Sequence, residues 1–259
     1  MLRISIPQIS DKVLFETTLE PSISTVEKLL KEKEIGEGEI DTISGRKNKI
    51  AVGVPYYENL ISRLIEEKQE IPHEIKQIIN EYDFHFISLS CSFLPDNRCK
   101  FIWARFGVEL NAISKEVNKL LEEKPIAYDM FPDEVLSKMI YKKDISISPE
   151  LKLDLSVIKT DMKLGKLGTQ KEFFFYEPQI FAFGFRRPSV AWDFKSTTEK
   201  GIWGNKRNLL LIVKTPKKSK VKGRFIFGAE IEVNVGKLIR LAYSKRKDEI
   251  IDVEYDLSA

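Results

Sequence analysis

Residues 84–110, FHFISLSCSFLPDNRCKFIWARFGVEL, contain two runs in which apolar and polar side chains alternate. The first run places apolar residues on one face and serines on the other: Ile87, Ser88, Leu89, Ser90, Cys91, Ser92 and Phe93. The second run covers residues 102–110, and the intervening segment 95–98 has the composition of a turn. Because a period of two residues indicates extended chain, we predict a β-hairpin here.

Strand-like segments also dominate the sequence after residue 150. They are rich in apolar and aromatic residues, are separated by turn signals, and cover residues 151–157, 173–185, 190–194, 209–213 and 225–235. Several short strands at this spacing favour an antiparallel β-sandwich or barrel over βαβ units. An isolated two-stranded ribbon is marginally stable, so we expect the hairpin to belong to the same sheets.

The first 83 residues contain mainly helical signals. The predicted elements are a helix that begins at the capping-box pair Ser24 and Glu27, a loop over 36–45, a short strand over 49–54, and helices over 57–65 and 72–83. We therefore predict an N-terminal portion, residues 1–83, that is mainly helical.

Apolar residues at helical spacing predict two further helices after the hairpin. Their apolar faces consist of Ile113, Val117, Leu120 and Leu121 in the first, and of Val135, Leu136, Met139 and Ile140 in the second. The predicted protein is therefore α+β, with an antiparallel β-sandwich domain at residues 84–259, an N-terminal helical portion, and a helical insertion at about residues 111–147.

Composition limits the class of protein. The chain has 259 residues and is 42% hydrophobic, which is enough for one large or two modest folded domains. Its apolar runs are far shorter than the roughly 18 residues of a membrane-spanning helix, and its N-terminus lacks the pattern of a signal peptide. The two cysteines, Cys91 and Cys99, favour a reduced, cytoplasmic protein, and the predicted hairpin register leaves them unpaired.

The net charge of +3 is unevenly distributed. Residues 151–259 contain 22 Lys and Arg against 13 Asp and Glu, net +9, which leaves 20 basic and 26 acidic residues, net −6, for residues 1–150. A basic half attracts an acidic half, an acidic protein, nucleic acid or an anionic membrane surface. The candidate anion-binding residues are Arg186, Arg187, Lys206, Arg207, Lys217, Lys218, Lys220, Lys222 and Arg224. Those between Lys214 and Arg224 are expected on a solvated, flexible tip.

Two tryptophans in the basic half are contact candidates. Trp203 lies close to Lys200, Lys206 and Arg207, where an exposed indole suits stacking on a base or seating at a lipid interface. Trp192 lies in an alternating strand, so its ring is expected between the sheets. It becomes a contact candidate if the ring is on the surface.

Signals for catalysis are few. Asp83 and His85 lie two residues apart at a strand start, where a carboxylate can orient an imidazole base. Cys91 is about 20 Å away along the strand, so it cannot pair with His85 as a nucleophile. The cysteine and histidine spacings fit no zinc site, and the glycine-containing segments fit no phosphate-binding loop. We expect no metal and no cofactor.

We therefore predict a non-enzymatic binding or regulatory protein that contacts a protein, nucleic acid or an anionic surface through its basic C-terminal half. One alternative is a carboxylate-dependent hydrolase or nuclease, which requires Asp193, Glu230 and Glu232 to converge in a cleft. The other alternative is a membrane-acting protein whose sheet rearranges on lipid.

Overall fold

The structure, a computed structural model, consists mainly of antiparallel β-strands. It describes residues 2–3, 12–21, 27–28, 31–32, 36–116, 119–135, 146–147, 153–154, 179–197, 201–202, 207–234, 238–246 and 255–256. The helices described over their full length in these ranges are α1 (Glu37–Ser44), α2 (Leu60–Glu66) and α3 (His73–Ile78). None of the helices in the described ranges has the length and apolarity required to span a membrane.

The strands are numbered in chain order through the described ranges. They are β1 (Leu2–Arg3), β2 (Val13–Thr18), β3 (Glu20–Pro21), β4 (Lys49–Gly53), β5 (Tyr56–Asn59), β6 (Tyr82–Leu94), β7 (Cys99–Ser114), β8 (Ile126–Phe131), β9 (Glu134–Val135), β10 (Ser146–Ile147), β11 (Leu153–Asp154), β12 (Gln179–Phe183), β13 (Ser189–Lys195), β14 (Arg207–Pro216), β15 (Ser219–Asn234), β16 (Leu238–Arg246) and β17 (Tyr255–Asp256).

Most of these strands belong to two antiparallel sheets. The six-stranded sheet has the order β2-β4-β6-β14-β8, with β5 also paired to β6. The eight-stranded sheet has the order β3-β16-β15-β7-β13-β12-β9, with β17 also paired to β15. The two-residue strands β1, β11 and β10 form a third sheet, in which β1 and β11 are parallel.

The two large sheets pack against each other around one hydrophobic core. Aromatic rings cross between them: Phe93 of the six-stranded sheet lies 5.1 Å from Phe194 of the eight-stranded sheet, measured between ring centroids. Phe15 and Phe225 make a similar contact between the two sheets at 5.6 Å. The prediction of a sandwich-like antiparallel architecture is therefore confirmed.

Strand β6 packs against other elements on both of its faces, so nearly all of its side chains are buried. Its inner face joins the core between the sheets, while Phe84 and Phe86 point to the other side. There they pack with Leu60 and Leu64 of α2 and Ile75 of α3. The two helices thus cover one end of the outer face of the six-stranded sheet.

The predicted hairpin at residues 84–110 is wrong in its pairing. Both strands form, but β6 belongs to the six-stranded sheet and β7 to the eight-stranded sheet. Residues 95–98 therefore form an arch across the sandwich. Asn48 fixes the arch by accepting a hydrogen bond from the Asp96 N–H at 3.0 Å, and Asp96 accepts one from the Lys47 N–H at 2.6 Å. A hairpin and an arch bury the same alternate residues, so the sequence period does not distinguish them.

A second connection crosses from one sheet to the other where a flexible tip was predicted, between Lys214 and Arg224. Strands β14 and β15 belong to different sheets and are joined by a two-residue turn, Lys217 and Lys218. The hydroxyl groups of Thr215 and Ser219 lie 2.7 Å apart across this turn and are both buried. The sheets meet at this corner, so most of the predicted tip is regular strand.

The described part of residues 1–83 is less helical than predicted. Strands β2, β4 and β5 join the six-stranded sheet, and the loop predicted over residues 36–45 contains α1. The N–H of Gly36 donates to the Glu39 carboxylate at 2.8 Å and so begins this helix. The two helices predicted over 57–65 and 72–83 correspond to the shorter α2 and α3. Of the helix predicted near Ser24, residues 27, 28 and 31 are described as helical.

The helical insertion predicted at about residues 111–147 is not found where the structure describes that segment. Strand β7 continues to Ser114, Leu120 bridges back to Ile113, and the extended strand β8 follows. Pairing with β15 extends to Ser114, so the sheet satisfies the backbone and overrides the local helical period. Most of the second predicted helix, residues 136–140, lies outside the described residues.

Both cysteines are free thiols, as predicted, although the reason given by the hairpin register was wrong. Cys91 pairs in register with Arg207 and Val52 in the six-stranded sheet. Cys99 pairs with Val233 in the other sheet. The arch separates the two thiols.

Candidate functional site

The candidate anion-binding residues do not gather in one patch. Arg186 and Arg187 lie in the turn between β12 and β13, and Arg207 begins β14. Lys217 and Lys218 form the turn at the other end of β14, roughly 33 Å from Arg207 at the usual rise of a strand. The side chains of Lys220, Lys222 and Arg224 alternate with the buried residues of β15. Lys206 and the contact candidate Trp203 lie outside the described residues.

The Arg186–Arg187 turn covers an edge of the six-stranded sheet. The N–H of Arg186 donates to the Ala127 carbonyl at 2.8 Å, and the N–H of Ala127 donates to the Arg187 carbonyl at 3.0 Å. The guanidinium of Arg186 lies 3.4 Å from the ring centroid of Tyr128. This stacking and edge protection account for Arg186 without an anion.

The turn at Lys217 and Lys218 already contains carboxylate partners. The Lys217 ammonium donates to Asp83 at 2.6 Å, and that of Lys218 donates to Glu116 at 2.9 Å. These lysines are therefore not the interchangeable point charges that were expected on a flexible tip. Ion pairs at exposed positions contribute little stability, but they reduce the positive potential available to a polyanion.

Trp192 does not lie on the surface as a contact candidate would, because its ring is fully buried between the sheets. The indole N–H donates to the Pro132 carbonyl at 3.0 Å. The residue contributes packing and one satisfied hydrogen bond to the core, as the alternating strand pattern indicated.

The three carboxylates of the hydrolase alternative do not converge. Asp193 accepts two hydrogen bonds from the Arg105 guanidinium, at 2.6 and 2.7 Å. Glu232 lies 2.5 Å from the Lys100 ammonium. It is on β15, which pairs with one side of β7, whereas Asp193 is on β13, which pairs with the other side. Among the residues that the structure describes, no group of three or more metal-ligating side chains is assembled.

His85 lies inside the sandwich, close to the turn at Lys217 and Lys218 where β14 leads into β15. Its ring is 4% exposed and shares a hydrogen bond with the Tyr57 hydroxyl through Nδ1. Burial lowers the pKa of His85 to about 4; nearby Asp83 opposes this shift, and Lys115 and Lys217 reinforce it. The ring is therefore neutral at physiological pH and is held by tyrosine, while Asp83 bonds to Lys217 rather than orienting a catalytic base.

One surface was not predicted from the sequence: the outer face of the eight-stranded sheet, which is directed away from the core. Trp103 and Arg105 lie there on β7, and Phe183 lies there on β12, with β13 between the two strands. The Arg105 guanidinium is 5.5 Å from the Trp103 ring centroid and 5.7 Å from that of Phe183. Hydrogen bonding to Asp193 raises the pKa of Arg105 and fixes the guanidinium between the two rings.

Phe181 and Phe183 of β12 complete this surface. Phe183 is 51% exposed, and Phe181 is half-buried and pairs in register with Asp193. Phe185 lies in the β12–β13 turn, where its ring centroid is 5.1 Å from the Arg186 guanidinium. We refer to Trp103, Arg105, Phe181 and Phe183 as the aromatic–arginine surface. Exposed aromatic rings beside a fixed guanidinium are typical of protein contact sites.

A sequence signal for this surface was present. Trp103 and Arg105 alternate with Ala104 and Phe106, which are buried in the core. An aromatic residue at the solvent-facing parity of an amphipathic strand is a contact candidate. The neighbours of Trp103 on other strands depend on the register of β7, β12 and β13, which the sequence does not give.

Comparison with known proteins assigns no family. No family model matches the chain, and no curated protein matches it. Among solved structures, Clostridium perfringens delta-toxin is similar over 77% of this chain and 81% of the toxin chain, with 10% sequence identity and a TM-score of 0.26. A likeness with so low a TM-score carries no conclusion about the fold or the activity of this chain.

Proposed function

We propose that this chain is a non-enzymatic binding protein whose contact site is the aromatic–arginine surface. The observation that supports the proposal is the Trp103–Arg105–Phe183 contact on an outer sheet face, with Phe183 half exposed. Aromatic and arginine side chains are enriched at the centres of protein interfaces, where a few such residues supply most of the binding energy.

A protein is the favoured partner class because the cations of this face are mixed with anions. Arg105 is bonded to Asp193, Lys100 lies beside Glu232, and Arg224 lies 3.6 Å from Glu109. A phosphate backbone or an anionic membrane would meet both signs of charge here. A protein surface with its own mixed charges fits such a face better.

The two free cysteines support a reducing compartment for this binding protein. Cys91 is buried and Cys99 is half-buried, and both are free thiols. We therefore propose a cytoplasmic location, where thiols remain reduced.

A site-specific photo-crosslinker tests the proposed surface. A benzophenone amino acid placed at Phe183 should give a discrete protein adduct in the cells that naturally contain this protein, and an added Arg105→Glu substitution should abolish it. The same crosslinker at Ile65, which is 63% exposed on α2 at the other sheet, is the matched control and should give no equivalent adduct.

Three outcomes would count against the proposal. Equal labelling from Phe183 and Ile65 would show that the aromatic–arginine surface has no special role in binding. An adduct that is sensitive to nuclease would favour nucleic acid as the partner. Binding of the purified protein to anionic liposomes at about 50 mM salt, lost at higher salt, would favour an anionic surface instead.

A further inference from the structure

Two buried N–H groups beside the arch at residues 95–98 have no hydrogen-bond acceptor. They are Nδ2 of Asn48 and Nε of Arg46. Asn48 is 0% exposed, and its other polar atom, Oδ1, already accepts a hydrogen bond from the Asp96 N–H. A buried donor without an acceptor is costly, so each such group in a folded protein requires an explanation.

Both donors lie close to the thiol of Cys99. Asp96 joins Asn48 to Cys99, because its N–H donates to the Asn48 side chain and its carbonyl accepts from the Cys99 N–H at 3.0 Å. Burial raises the pKa of Cys99, whereas the Asn48 amide and the Arg46 charge lower it and nearby Asp96 raises it. The Asn48 amide is therefore beside the sulfur, but its N–H bonds are not aligned with the sulfur as a hydrogen bond requires.

The thiol of Cys99 is accessible and has no second thiol with which to pair. Cys99 is half-buried, so a small reagent can reach its sulfur. The other cysteine, Cys91, is 1% exposed in the core and belongs to the other sheet. An oxidised Cys99 therefore has no accessible thiol on this chain with which to form a disulfide.

We propose that Cys99 is a site of reversible oxidation by hydrogen peroxide, and that Asn48 and Arg46 hold the resulting sulfenic acid. The sulfur attacks one peroxide oxygen, the O–O bond breaks, and the thiol proton leaves with the other oxygen as water. Sulfur is oxidised and peroxide is reduced, so the step needs no further reactant. This inference goes beyond the proposed binding function and does not depend on it.

The added oxygen supplies the acceptor that the thiol lacks. Sulfur is a weak acceptor, whereas an oxygen bonded to it accepts hydrogen bonds well and extends beyond the sulfur toward its neighbours. Nδ2 of Asn48 and Nε of Arg46 are available to this oxygen because neither has another acceptor. Since burial raises the pKa of Cys99, its oxidation is slower than that of an exposed thiolate, and what the site provides is retention of the product.

Oxidation also links the two large sheets at the arch. Asn48 immediately precedes β4 of the six-stranded sheet, and Cys99 begins β7 of the eight-stranded sheet. A hydrogen bond from Asn48 to the oxygen on Cys99 joins these two strands directly. The oxidised protein should therefore unfold at a higher temperature than the reduced protein.

Peroxide treatment of the reduced full-length protein, followed by mass spectrometry of its peptides, tests the proposal. Cys99 should gain one oxygen, which dimedone captures and dithiothreitol removes, while buried Cys91 should remain a thiol. The unfolding midpoint of the oxidised protein should lie about 2 to 4 °C above that of the reduced protein, the shift expected for one net hydrogen bond in a chain of this size.

Two variants each remove one donor. Asn48→Asp keeps an oxygen for the Asp96 N–H but replaces the Nδ2 donor by an acceptor, and Arg46→Gln removes Nε from a half-buried side chain. In each variant the dimedone-reactive form should decay to the sulfinic acid about tenfold faster than in the parent, the effect of losing one strong hydrogen bond. The matched control is Lys47→Gln, which removes an exposed charge between the two positions and should behave as the parent does.

Direct conversion of Cys99 to the sulfinic acid in the parent, with no dimedone adduct at any time, would overturn the proposal. Equal lifetimes of the sulfenic acid in the parent, Asn48→Asp and Arg46→Gln would do the same. So would an unmodified Cys99 under peroxide that oxidises the same residue in the urea-unfolded chain. If Asn48→Asp does not fold, as judged by circular dichroism, the comparison of Arg46→Gln with Lys47→Gln decides. Cys99 lies outside the aromatic–arginine surface, so either result leaves the proposed function to its own test.

Discussion

Acidification should destabilise this protein through His85, and replacing His85 with glutamine should remove that part of the acid sensitivity. The imidazole is 4% exposed and lies at the corner where the two sheets meet. Burial lowers its pKa from 6.5 to about 4, so the native state binds a proton much more weakly than the unfolded chain does. Glutamine retains a group that accepts a hydrogen bond from Tyr57 but does not titrate.

The sign and size follow from linkage. Above about pH 6.5 the histidine is neutral in both states, so its titration does not change the free energy of unfolding. As the pH falls toward 4, the unfolded chain takes up a proton that the native state does not. Each tenfold difference in proton affinity is worth about 1.4 kcal/mol, so the native state loses about 3 kcal/mol across this range. Below the native pKa both states are protonated and this loss stops increasing.

Urea unfolding of the parent and His85→Gln from pH 7.5 to 4 measures the effect. The parent should lose about 3 kcal/mol more than the variant over this range, while carboxylate titrations common to both cancel in the comparison. His73→Gln, at an exposed position on α3, should follow the parent. Parallel stability curves for the parent and His85→Gln, or an NMR titration of the His85 ring near pH 6.5, would refute the reasoning.

Three further outcomes are expected. Trp192→Ala should lower the unfolding free energy by roughly 3 to 5 kcal/mol, measured by denaturant, since it empties a fully buried site; an unchanged midpoint would contradict the core assignment. Cys91 should resist a thiol reagent in the folded protein, because burial raises its pKa to about 12, whereas half-buried Cys99 should react first; mass spectrometry of labelled peptides decides the order. Lys217→Gln should lower the unfolding free energy by at most about 1 kcal/mol, because it breaks the bond to Asp83, and high salt should remove this difference between variant and parent. A larger loss of unfolding free energy that persists in high salt would show that packing is involved.

The sequence predicted the strands of the 84–110 segment better than their neighbours. Alternation identified which side chains of β6 and β7 are buried, because the period of a strand is fixed by backbone geometry. It did not identify the arch, since a four-residue connection permits either pairing in one sheet or crossing between two. Pairing with distant β14 and β15 decided between them.

The contact surface was likewise only partly predictable from the sequence. The buried position of Trp192 followed from its alternating strand, and the solvent-facing parity of Trp103 is visible in the sequence. Contact between Arg105 and Phe183 requires the register across β13, which no local pattern encodes. The basic C-terminal half was misleading as a sign of one patch because charge counts omit ion pairs with distant acids, such as Lys217 with Asp83.

The two connections that cross between the sheets, residues 95–98 and the Lys217–Lys218 turn, also determine when the sheets can be completed during synthesis. Each of the long central pairings joins segments made at very different times: Cys91 lies beside Arg207 in one sheet, and Trp103 lies beside Glu230 in the other. In a nascent chain that ends before residue 207, β6 can pair with β4 and β5 and β7 can pair with β13, but both strands lack their partners on the other side. Such non-local topology makes folding slow and leaves incomplete chains dependent on protection from aggregation.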